Sequence, residues 1–392
     1  MTWTLAALAA GVVGTVVPVR RVPAPVVVAS VAGAAVLAGI VSWSAAREAF
    51  DALAAPLAFL LLAVPLAVVL DDVGFFSSLA ATVDGGRHLR LGLWVLAAAV
   101  TVLFNLDAAV VLLTPLYARI ARRHGVDVLA LAFIPALMAS LASTVLPVSN
   151  LTNLVVVGHL DALDLSAGDF LVNAAPSAAA ATVVGWWAYR RTFPAPAGTA
   201  PVDDQVDRRA LLIGAPVVAW LLIGFTVGER LGVPAWAVAA VALGGLLVLT
   251  RRMPWRSVPI GPAVLALALG ILAVAAAPAL HVDRLLGLDG LGGEAATFGG
   301  AVIGADVINN LPATVVSLPA LEMHPHRVWA VLLGVNLGPL LWATGALSTL
   351  LWQSVMSRLE HPVGNRRYAS VGIRVGGPAL VVALAVRLLI AS

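Results

Sequence analysis

Two short polar stretches, Asn105-Leu106-Asp107 and Asn309-Asn310-Leu311-Pro312, interrupt otherwise apolar sequence and decide how this chain is expected to fold. Each is followed by a similar apolar run, and the two runs end in Thr114-Pro115 and Leu318-Pro319. An amide or carboxylate without a partner is costly in hydrocarbon, so such residues usually face a protein interior or a water-filled cavity. Because the pattern occurs once in each half of the chain, it predicts a transporter whose binding site is built by internal repeats.

The composition is that of a helical membrane protein. Of the 392 residues, 61% are hydrophobic and only 11% are charged, which is too few to cover a soluble domain. The net charge is +3, and the arginines lie at the ends of apolar segments. This placement indicates membrane topology and not nucleic-acid binding. Without cysteine there are no thiolate metal sites, and without lysine there is no Walker A motif. We therefore expect no metal or cofactor, and an energy source that is an ion gradient or a separate subunit.

Apolar segments of spanning length follow one another along the chain. They lie at residues 2–17, 24–43, 53–70, 127–160, 170–189, 210–228, 233–250, 258–278, 328–357 and 371–390. Two of them, 127–160 and 328–357, are too long for one straight crossing and contain polar, Pro or Gly residues, which predicts broken helices. Two further regions, 89–121 and 290–321, divide at the polar stretches into halves of about 15 residues, each short for a full crossing.

Arginine placement predicts how these segments are oriented. The region 89–121 has arginines at both ends: Arg87, Arg90, Arg119, Arg122 and Arg123. Both ends are therefore expected on the cytoplasmic side, which makes the region a re-entrant hairpin. Following the chain from there puts the N-terminus outside, and the hairpin 290–321 then enters from the outside. The expected location is the cytoplasmic membrane, crossed many times.

The predicted fold is an all-α polytopic membrane protein with an inverted-topology repeat. The first repeat covers residues 1–191, a cytoplasmic linker covers 192–209, and the second repeat covers 210–392. Each half holds about five spans and one hairpin, and an odd number of crossings forces the second half to insert upside down.

Four polar clusters are expected near the bilayer midplane, where non-helical backbone is tolerated only inside protein or along a cavity. The hairpin tips supply Asn105, Asp107, Asn309 and Asn310. The broken helices supply Ser143, Thr144, Pro147, Ser149, Asn150, Thr152 and Asn153, then Asn336, Gly338, Pro339, Thr344, Gly345, Ser348 and Thr349. A carboxylate at a hairpin tip needs a proton, a cation or a partner, so Asp107 is the expected coupling residue. Asp306 is either a second titrating group or the ion-pair partner of an arginine.

At these residues the chain resembles the arsenical pump membrane protein (ArsB) family, within the ion transporter superfamily that also contains sodium-coupled dicarboxylate carriers. The resemblance runs over nearly the whole chain and depends on six motifs in order. They are Leu70 to Phe76, Leu103 to Pro115, Leu146 to Asn153, Asn309 to Pro312, Leu337 to Pro339 and Gly345 to Trp352.

This resemblance implies a secondary transporter, not an enzyme, that exports arsenite and antimonite by proton antiport. It implies a small inorganic solute, a coupling proton and the lipid bilayer as partners, and it allows a homodimer and a separate ATPase subunit. The proton-coupling residues would be Asp107 and Asp306. The solute would be held by Asn105, Ser149, Asn150, Thr152, Asn153, Asn309, Asn310, Thr344, Ser348 and Thr349.

Two other functions stay open at the level of sequence. One is a sodium- or proton-coupled carrier of another anion, and the other is a cation/proton antiporter of the same superfamily. An anion carrier should have positive helix ends and few acids near its site, so Asp107 and Asp306 count against it. A membrane-embedded enzyme would need a catalytic constellation, and neither His-x-x-x-His nor Gly-x-Ser-x-Gly occurs in a membrane segment.

Overall fold

The computed structural model describes residues 2–16, 22–83, 86, 88–103, 106–160, 165–194, 206–224 and 231–391. Within these residues the chain is helical and forms no β-strand. Three helices in this part of the chain are long and apolar enough to cross a membrane, namely Trp43–Asp72, Trp255–Leu280 and Asn365–Ala391. Shorter apolar helices surround them, as expected for a polytopic membrane protein.

The helices of the first half lie close to the predicted segments. They are α1 (Thr2–Val16), α2 (Ala24–Leu37), α3 (Trp43–Asp72), α4 (Phe75–Ala80), α5 (Leu89–Leu103), α6 (Leu106–Ala108), α7 (Thr114–Arg123), α8 (Val128–Leu141), α9 (Leu151–His159), α10 (Ala167–Asn173) and α11 (Ala175–Thr192). A π-helical turn over Ala109–Leu113 joins α6 to α7. The predicted break in 127–160 is present, because nine residues, 142–150, separate the end of α8 from the start of α9.

The second half follows the same order. Its helices are α12 (Arg208–Ile223), α13 (Ala235–Thr250), α14 (Ile260–Leu280), α15 (Val282–Leu286), α16 (Gly290–Ile308), α17 (Asn310–Met323), α18 (Val328–Leu337), α19 (Leu347–Arg358) and α20 (Asn365–Ala391). The predicted break in 328–357 lies between α18 and α19.

The boundary between the second and third predicted segments is wrong. The sequence places residues 24–43 in one segment, but α2 ends at Leu37 and a turn follows in which Gly39 has a φ of 69°. The hydroxyl of Ser42 then caps α3, accepting a hydrogen bond of 3.2 Å from the backbone N–H of Ala45. A side-chain cap fixes a helix start that hydropathy places too late, because the first turns of α3 carry the charged residues Arg47, Glu48 and Asp51.

Both regions predicted as hairpins turn back on themselves. In the first, the hydroxyl of Tyr117 on α7 donates a 2.6 Å hydrogen bond to the carbonyl of Leu93, near the start of α5. In the second, Asn309 separates α16 from α17 with a φ of 80°, a left-handed conformation that Asn adopts more readily than most residues. Its side chain accepts from the N–H of Leu311 at 3.3 Å and so caps α17.

Close backbone packing brings α16 against α18. A Cβ added at Gly334 would lie 2.6 Å from the carbonyl oxygen of Phe298, and one at Gly338 would lie 2.8 Å from that of Val302. Any larger residue at these two positions would push the helices apart, so the glycines set the distance between the second hairpin and the second broken helix.

Several helix ends meet on one face of the molecule. The guanidinium of Arg119 on α7 makes two hydrogen bonds, of 3.0 and 2.8 Å, to the carboxylate of Asp71 at the end of α3. Arg122 donates to the carbonyl of Leu359 at 2.9 Å, at the end of α19. Two of the arginines that the sequence assigns to one membrane side are therefore held by the ends of other helices.

A buried ion triad ties three helices together at another point of the second half. The carboxylate of Glu294 on α16 contacts Arg327 at 2.7 Å and Arg387 at 2.5 Å, and all three side chains are almost fully buried. Arg327 precedes α18 and also donates to the carbonyls of Leu286, Leu288 and Gly290. Arg387 lies near the end of α20. The sequence does not reveal this triad, because its members are far apart in the chain.

Replacing Glu294 by Gln should destabilise the protein strongly. Two buried arginines would lose their only carboxylate, and breaking a buried pair in this way costs about 3–5 kcal/mol. The free energy of unfolding in mixed detergent micelles measures the effect. Asp51→Asn is the matched control, since Asp51 pairs with Arg47 on an exposed surface at 3.4 Å and should change stability by about 0.5 kcal/mol or less. Equal losses in the two variants would contradict a structural role for the triad.

Candidate functional site

The two helix breaks have the same backbone conformation. In the first, Leu146 is extended, Pro147–Ser149 form a 3-10 turn, and Asn150 is extended with φ −150° and ψ 140°. In the second, Trp342 is extended, Ala343–Gly345 form a 3-10 turn, and Ala346 is extended with φ −145° and ψ 153°. The same sequence of conformations thus precedes α9 and α19, one in each half of the chain.

Asn336 joins the two breaks. Its side-chain oxygen accepts a 2.6 Å hydrogen bond from the amide of Asn150 and another of 2.6 Å from the hydroxyl of Thr152. Its own amide donates to the side-chain oxygen of Asn153 at 2.7 Å. All four side chains are almost fully buried. One residue of α18 therefore holds the N-cap of α9 and two residues of α9 itself, across 183 or more positions of sequence.

The first break is further held by its own polar side chains. The amide of Asn153 donates to the carbonyls of Ser143 and Leu146, at 2.8 and 2.9 Å. The hydroxyl of Ser149 donates to the carbonyl of Val102 on α5 at 3.0 Å. These groups satisfy carbonyls that the broken helix leaves without a helical partner. Ser149 and Asn153, both predicted to hold solute, are thus occupied by the protein itself.

A small cavity lies beside this network, and we call it the polar cavity. It has a volume of about 30 Å³ and combines residues of both halves. Its polar walls are Asp107, Asn150, Thr152, Asn310 and Ser348, and its apolar walls include Pro56, Leu106, Leu151 and Ala346. A water molecule needs roughly 10–15 Å³ of such volume, so the space fits one or two water-sized groups. Five residues predicted to form the site therefore meet at one point.

The start of α19 supplies backbone donors to the polar cavity. Ala346, Leu347 and Ser348 line it, and α19 begins without a side-chain cap. In the first half the equivalent position is Asn150, whose side chain caps α9 by accepting from the N–H of Thr152 at 3.2 Å. The first N–H groups of an uncapped helix are free to bind an oxygen atom of a solute.

A larger space adjoins the polar cavity, and we call it the apolar vestibule. It has a volume of about 210 Å³ and lies between α3, the start of α9 and the start of α13. Its walls are mostly aliphatic or aromatic and include Pro56, Phe59, Val148, Leu151 and Trp236. Asp107 lines both spaces. The carboxylate therefore stands where the vestibule meets the network of polar side chains.

Asp107 is the only charged residue among the described walls of these two spaces. Its carboxylate has no hydrogen-bond or ion-pair partner within the described part of the chain. An isolated carboxylate in such surroundings is stable only when it binds a proton or a cation. The site can therefore exchange a proton or a cation, and its described walls offer no positive side chain to an anion.

Asp306 lies in the second half, away from the polar cavity. A Cβ added at Gly345 would lie 3.1 Å from one carboxylate oxygen of Asp306, so the carboxylate fills the space beside the second break. That oxygen is buried and has no hydrogen-bond partner in the described structure. No arginine pairs with Asp306 there, so the ion pair that the sequence left open is absent.

Of the remaining predicted site residues, some are bonded to or buried in the protein, and one lies outside the described part of the chain. The amide of Asn309 donates to the carbonyl of Thr344 at 3.0 Å, which ties the second hairpin tip to the second break. Thr349 is almost fully buried on α19. Asn105 lies outside the described residues. The sequence places Asn336 in a polar cluster but gives it no solute-binding role. In the structure its side chain connects the two helix breaks by hydrogen bonds.

Comparisons with known proteins identify relatives over most of the chain. A family described as "Citrate transporter" has a sequence model that matches residues 7–347. Proteins named "Arsenical pump membrane protein" from Escherichia coli K12 and Shigella flexneri are each 29% identical over 354 residues, covering 81% of this chain and 82% of theirs. The protein of that name from Yersinia enterocolitica is 29% identical over 355 residues, with the same shares. The resemblance stated from the motifs is confirmed, and these relatives indicate a multi-pass membrane transporter.

Asn336→Ala should loosen the contact between the two breaks. The change removes the partner of Thr152 Oγ1 and of Asn153 Oδ1, and each such buried group costs about 1–3 kcal/mol. The amide of Asn150 keeps only a 3.5 Å hydrogen bond to the hydroxyl of Ser143. We expect the free energy of unfolding to fall by at least about 2 kcal/mol. Asn173→Ala is the matched control, because Asn173 makes a single hydrogen bond, to the carbonyl of Asp169 at 3.0 Å, at a partly buried site. A loss no larger than that of the control would mean that Asn336 does not hold the breaks together.

Proposed function

The chain belongs to the citrate transporter family, and we propose that it is a secondary transporter that exports arsenite and antimonite in exchange for protons. The carrying observation is Asp107, a carboxylate without a described partner between the apolar vestibule and the polar cavity. The proposal for the solute is supported by the relatives named for an arsenical pump and by the chemistry of the walls.

The walls of the polar cavity suit a small neutral oxyacid. Arsenous acid carries three hydroxyl groups and no charge near neutral pH, so it can donate to a carboxylate or amide oxygen and accept from amides and backbone N–H groups. Asp107 and Thr152 offer acceptors, while Asn310 and the uncapped start of α19 offer donors. Such a solute is larger than one or two waters, so the cavity must widen toward the vestibule to admit it.

Proton exchange follows from the position of Asp107. A neutral solute brings no charge that could balance the carboxylate of Asp107. The carboxylate must therefore be neutralised by a proton, which it binds and releases in each transport cycle. Asp306, with a buried oxygen that lacks a described partner, is proposed as a second proton-binding group.

Two arrangements of the chain accompany this function in our proposal. The matching conformations of the two breaks support an inverted repeat of residues 1–191 and 210–392 around the linker 192–209. The doubled-back helices α5 to α7 and α16 to α17 would be re-entrant hairpins entering from opposite sides. In this orientation the N-terminus lies outside the cytoplasmic membrane, and the vestibule, whose walls include Gly224 and Trp236, would open outward. A homodimer and a separate ATPase subunit remain proposals from the resemblance alone.

A carboxylate carrier is the second candidate, because the matching family is described as a citrate transporter. A di- or tricarboxylate would need positive partners to replace its hydration. The described walls of both spaces contain none, so such a substrate would have to enter together with cations. Transport assays can separate the two candidates directly.

Transport should be measured in inverted membrane vesicles carrying a proton gradient. Gradient-driven uptake is expected for arsenite and antimonite, but not for sodium, citrate or dicarboxylates. Uptake of citrate or sodium instead of metalloid would overturn the proposed solute.

Asp107→Asn should abolish proton-driven accumulation, because a carboxamide cannot exchange a proton, while downhill solute exchange continues. Asp51→Asn, on the exposed surface of α3, should transport like the wild type. Size-exclusion chromatography would confirm that both variants fold. Wild-type accumulation in Asp107→Asn would remove Asp107 from the coupling step.

The vestibule can be tested by thiol labelling, since the natural chain contains no cysteine. In a Val148→Cys variant, a membrane-impermeant maleimide added from the outside should label the single thiol and block transport. Leu131→Cys is the control, because Leu131 on α8 is fully buried and should not react. Labelling of Val148→Cys only from the cytoplasmic side would contradict an outward-opening vestibule.

A further inference from the structure

A third space in the molecule lies apart from the proposed transport site and is lined by arginine. We call it the arginine pocket. It has a volume of about 530 Å³ between the starts of α5, α8 and α20 and the end of α11. Its walls include Arg90, Asp127, Phe193, Arg367, Ser370 and Arg374. Three guanidinium groups thus face one carboxylate.

The single carboxylate is already in use. Asp127 is the N-cap of α8, and its side chain accepts a 3.0 Å hydrogen bond from the backbone N–H of Leu129. It makes no ion pair with the three arginines within the described structure. Among the described residues, the pocket therefore combines three guanidinium groups with one carboxylate, an excess of about two positive charges.

Arg90 is held in place by the protein. Its Nη2 atom donates a 2.5 Å hydrogen bond to the carbonyl of Phe193, and its guanidinium lies 4.9 Å from the centre of the Tyr189 ring. Its Nε atom is buried and has no described partner. These contacts fix the position of the guanidinium in the wall of the pocket, unlike that of a solvated surface arginine.

Arg367 and Arg374 form the outer wall. They lie seven residues apart on α20, with Ser370 between them, so all three side chains share one helix face. Neither arginine has a hydrogen-bond or ion-pair partner in the described part of the chain. Arg374 is about 14 Å along a helix of 1.5 Å rise per residue, and its neighbour Ile373 is 62% exposed. Within the described structure, both guanidinium groups are therefore available to an anionic ligand in the pocket.

The surroundings place the pocket at a membrane interface. Trp187 on α11 is 60% exposed, and Arg191 lies 5.8 Å from the centre of its ring. Tryptophan and arginine at a helix end are typical of the headgroup level of a bilayer. Apolar residues such as Phe193 and Val371 line the same pocket and could cover glycerol or the first carbons of an acyl chain.

We propose that the arginine pocket binds a phosphate ester, with the headgroup of an anionic phospholipid as its source. The guanidinium groups of Arg90, Arg367 and Arg374 would hold the phosphate oxygens, to which the arginine fork is geometrically suited. Basic pockets between membrane helices on the cytoplasmic side are suited to such headgroups. This inference does not depend on the proposed transport function, because it concerns different residues and a different ligand.

Binding can be measured on delipidated protein in a neutral detergent. Dioctanoyl phosphatidylglycerol should raise the thermal unfolding midpoint in a saturable way, and dioctanoyl phosphatidylcholine should not. A double variant, Arg367→Gln with Arg374→Gln, should weaken phosphatidylglycerol binding by at least about fivefold, since one basic residue near an anionic headgroup contributes roughly that factor. Arg366→Gln is the matched control, because Arg366 is an exposed neighbour on α20 that does not line the pocket.

Two further measurements distinguish a lipid phosphate from a soluble phosphate ester and control for misfolding of the variants. Glycerol 1-phosphate binding as tightly as the lipid would support the phosphate site and assign it to a soluble ligand. Arg367→Lys with Arg374→Lys keeps the charges and should retain binding above that of the double Gln variant. Equal binding of the two lipids, or wild-type binding by the double Gln variant, would overturn the proposal. None of these readouts measures transport, so failure here leaves the transport proposal separately testable.

Discussion

The hydrogen bonds of Asn336 are the interaction on which the rest of the site depends. A helix that breaks inside a membrane exposes backbone groups that lipid cannot satisfy, so each break must be closed by protein. The first break closes itself through Ser149 and Asn153. Asn336 then connects this closed break to α18 through three side chains at 2.6–2.7 Å. Because the partners come from the two halves of the chain, the halves can meet only in one register, and the polar cavity forms beside that contact.

The two breaks have one conformation but different chemistry. Where the first has Ser149 and Asn150, the second has Gly345 and Ala346, which provide no side-chain cap. Asp306 fills the space beside Gly345, and Asn309 holds the carbonyl of Thr344 from the hairpin tip. The first half therefore contributes satisfied amides and a carboxylate, and the second contributes free helix-terminal N–H groups. Two breaks that differ in this way border a cavity with acceptors on one side and backbone donors on the other.

The sequence predicts the helices and most of the cavity well, for identifiable reasons. Spanning segments are visible because hydrocarbon tolerates few polar residues, and the polar exceptions among them, Asp107, Asn150, Thr152, Asn310 and Ser348, line one cavity. It is harder to predict which buried polar side chains line the cavity and which are hydrogen-bonded to the protein backbone. Ser149 and Asn153 are as polar as their neighbours, yet they bind carbonyls whose positions depend on the local break. The ion triad of Glu294 and the start of α3 at a Ser42 cap were also beyond hydropathy, since both depend on contacts and not on composition.

Charge balance is the strongest constraint on what such a site can carry. The described walls of the vestibule and the polar cavity hold one carboxylate and no positive side chain. An anion entering these spaces would lose its hydration and meet a like charge whenever Asp107 is ionised, whereas a neutral polyhydroxy solute loses only hydrogen bonds that the walls can replace. Reversible protonation of one carboxylate then suffices to change the affinity of the site without leaving an uncompensated charge. The proposed exchange of a neutral oxyacid for a proton is compatible with these described walls, because it needs no ligand charge that they would have to balance.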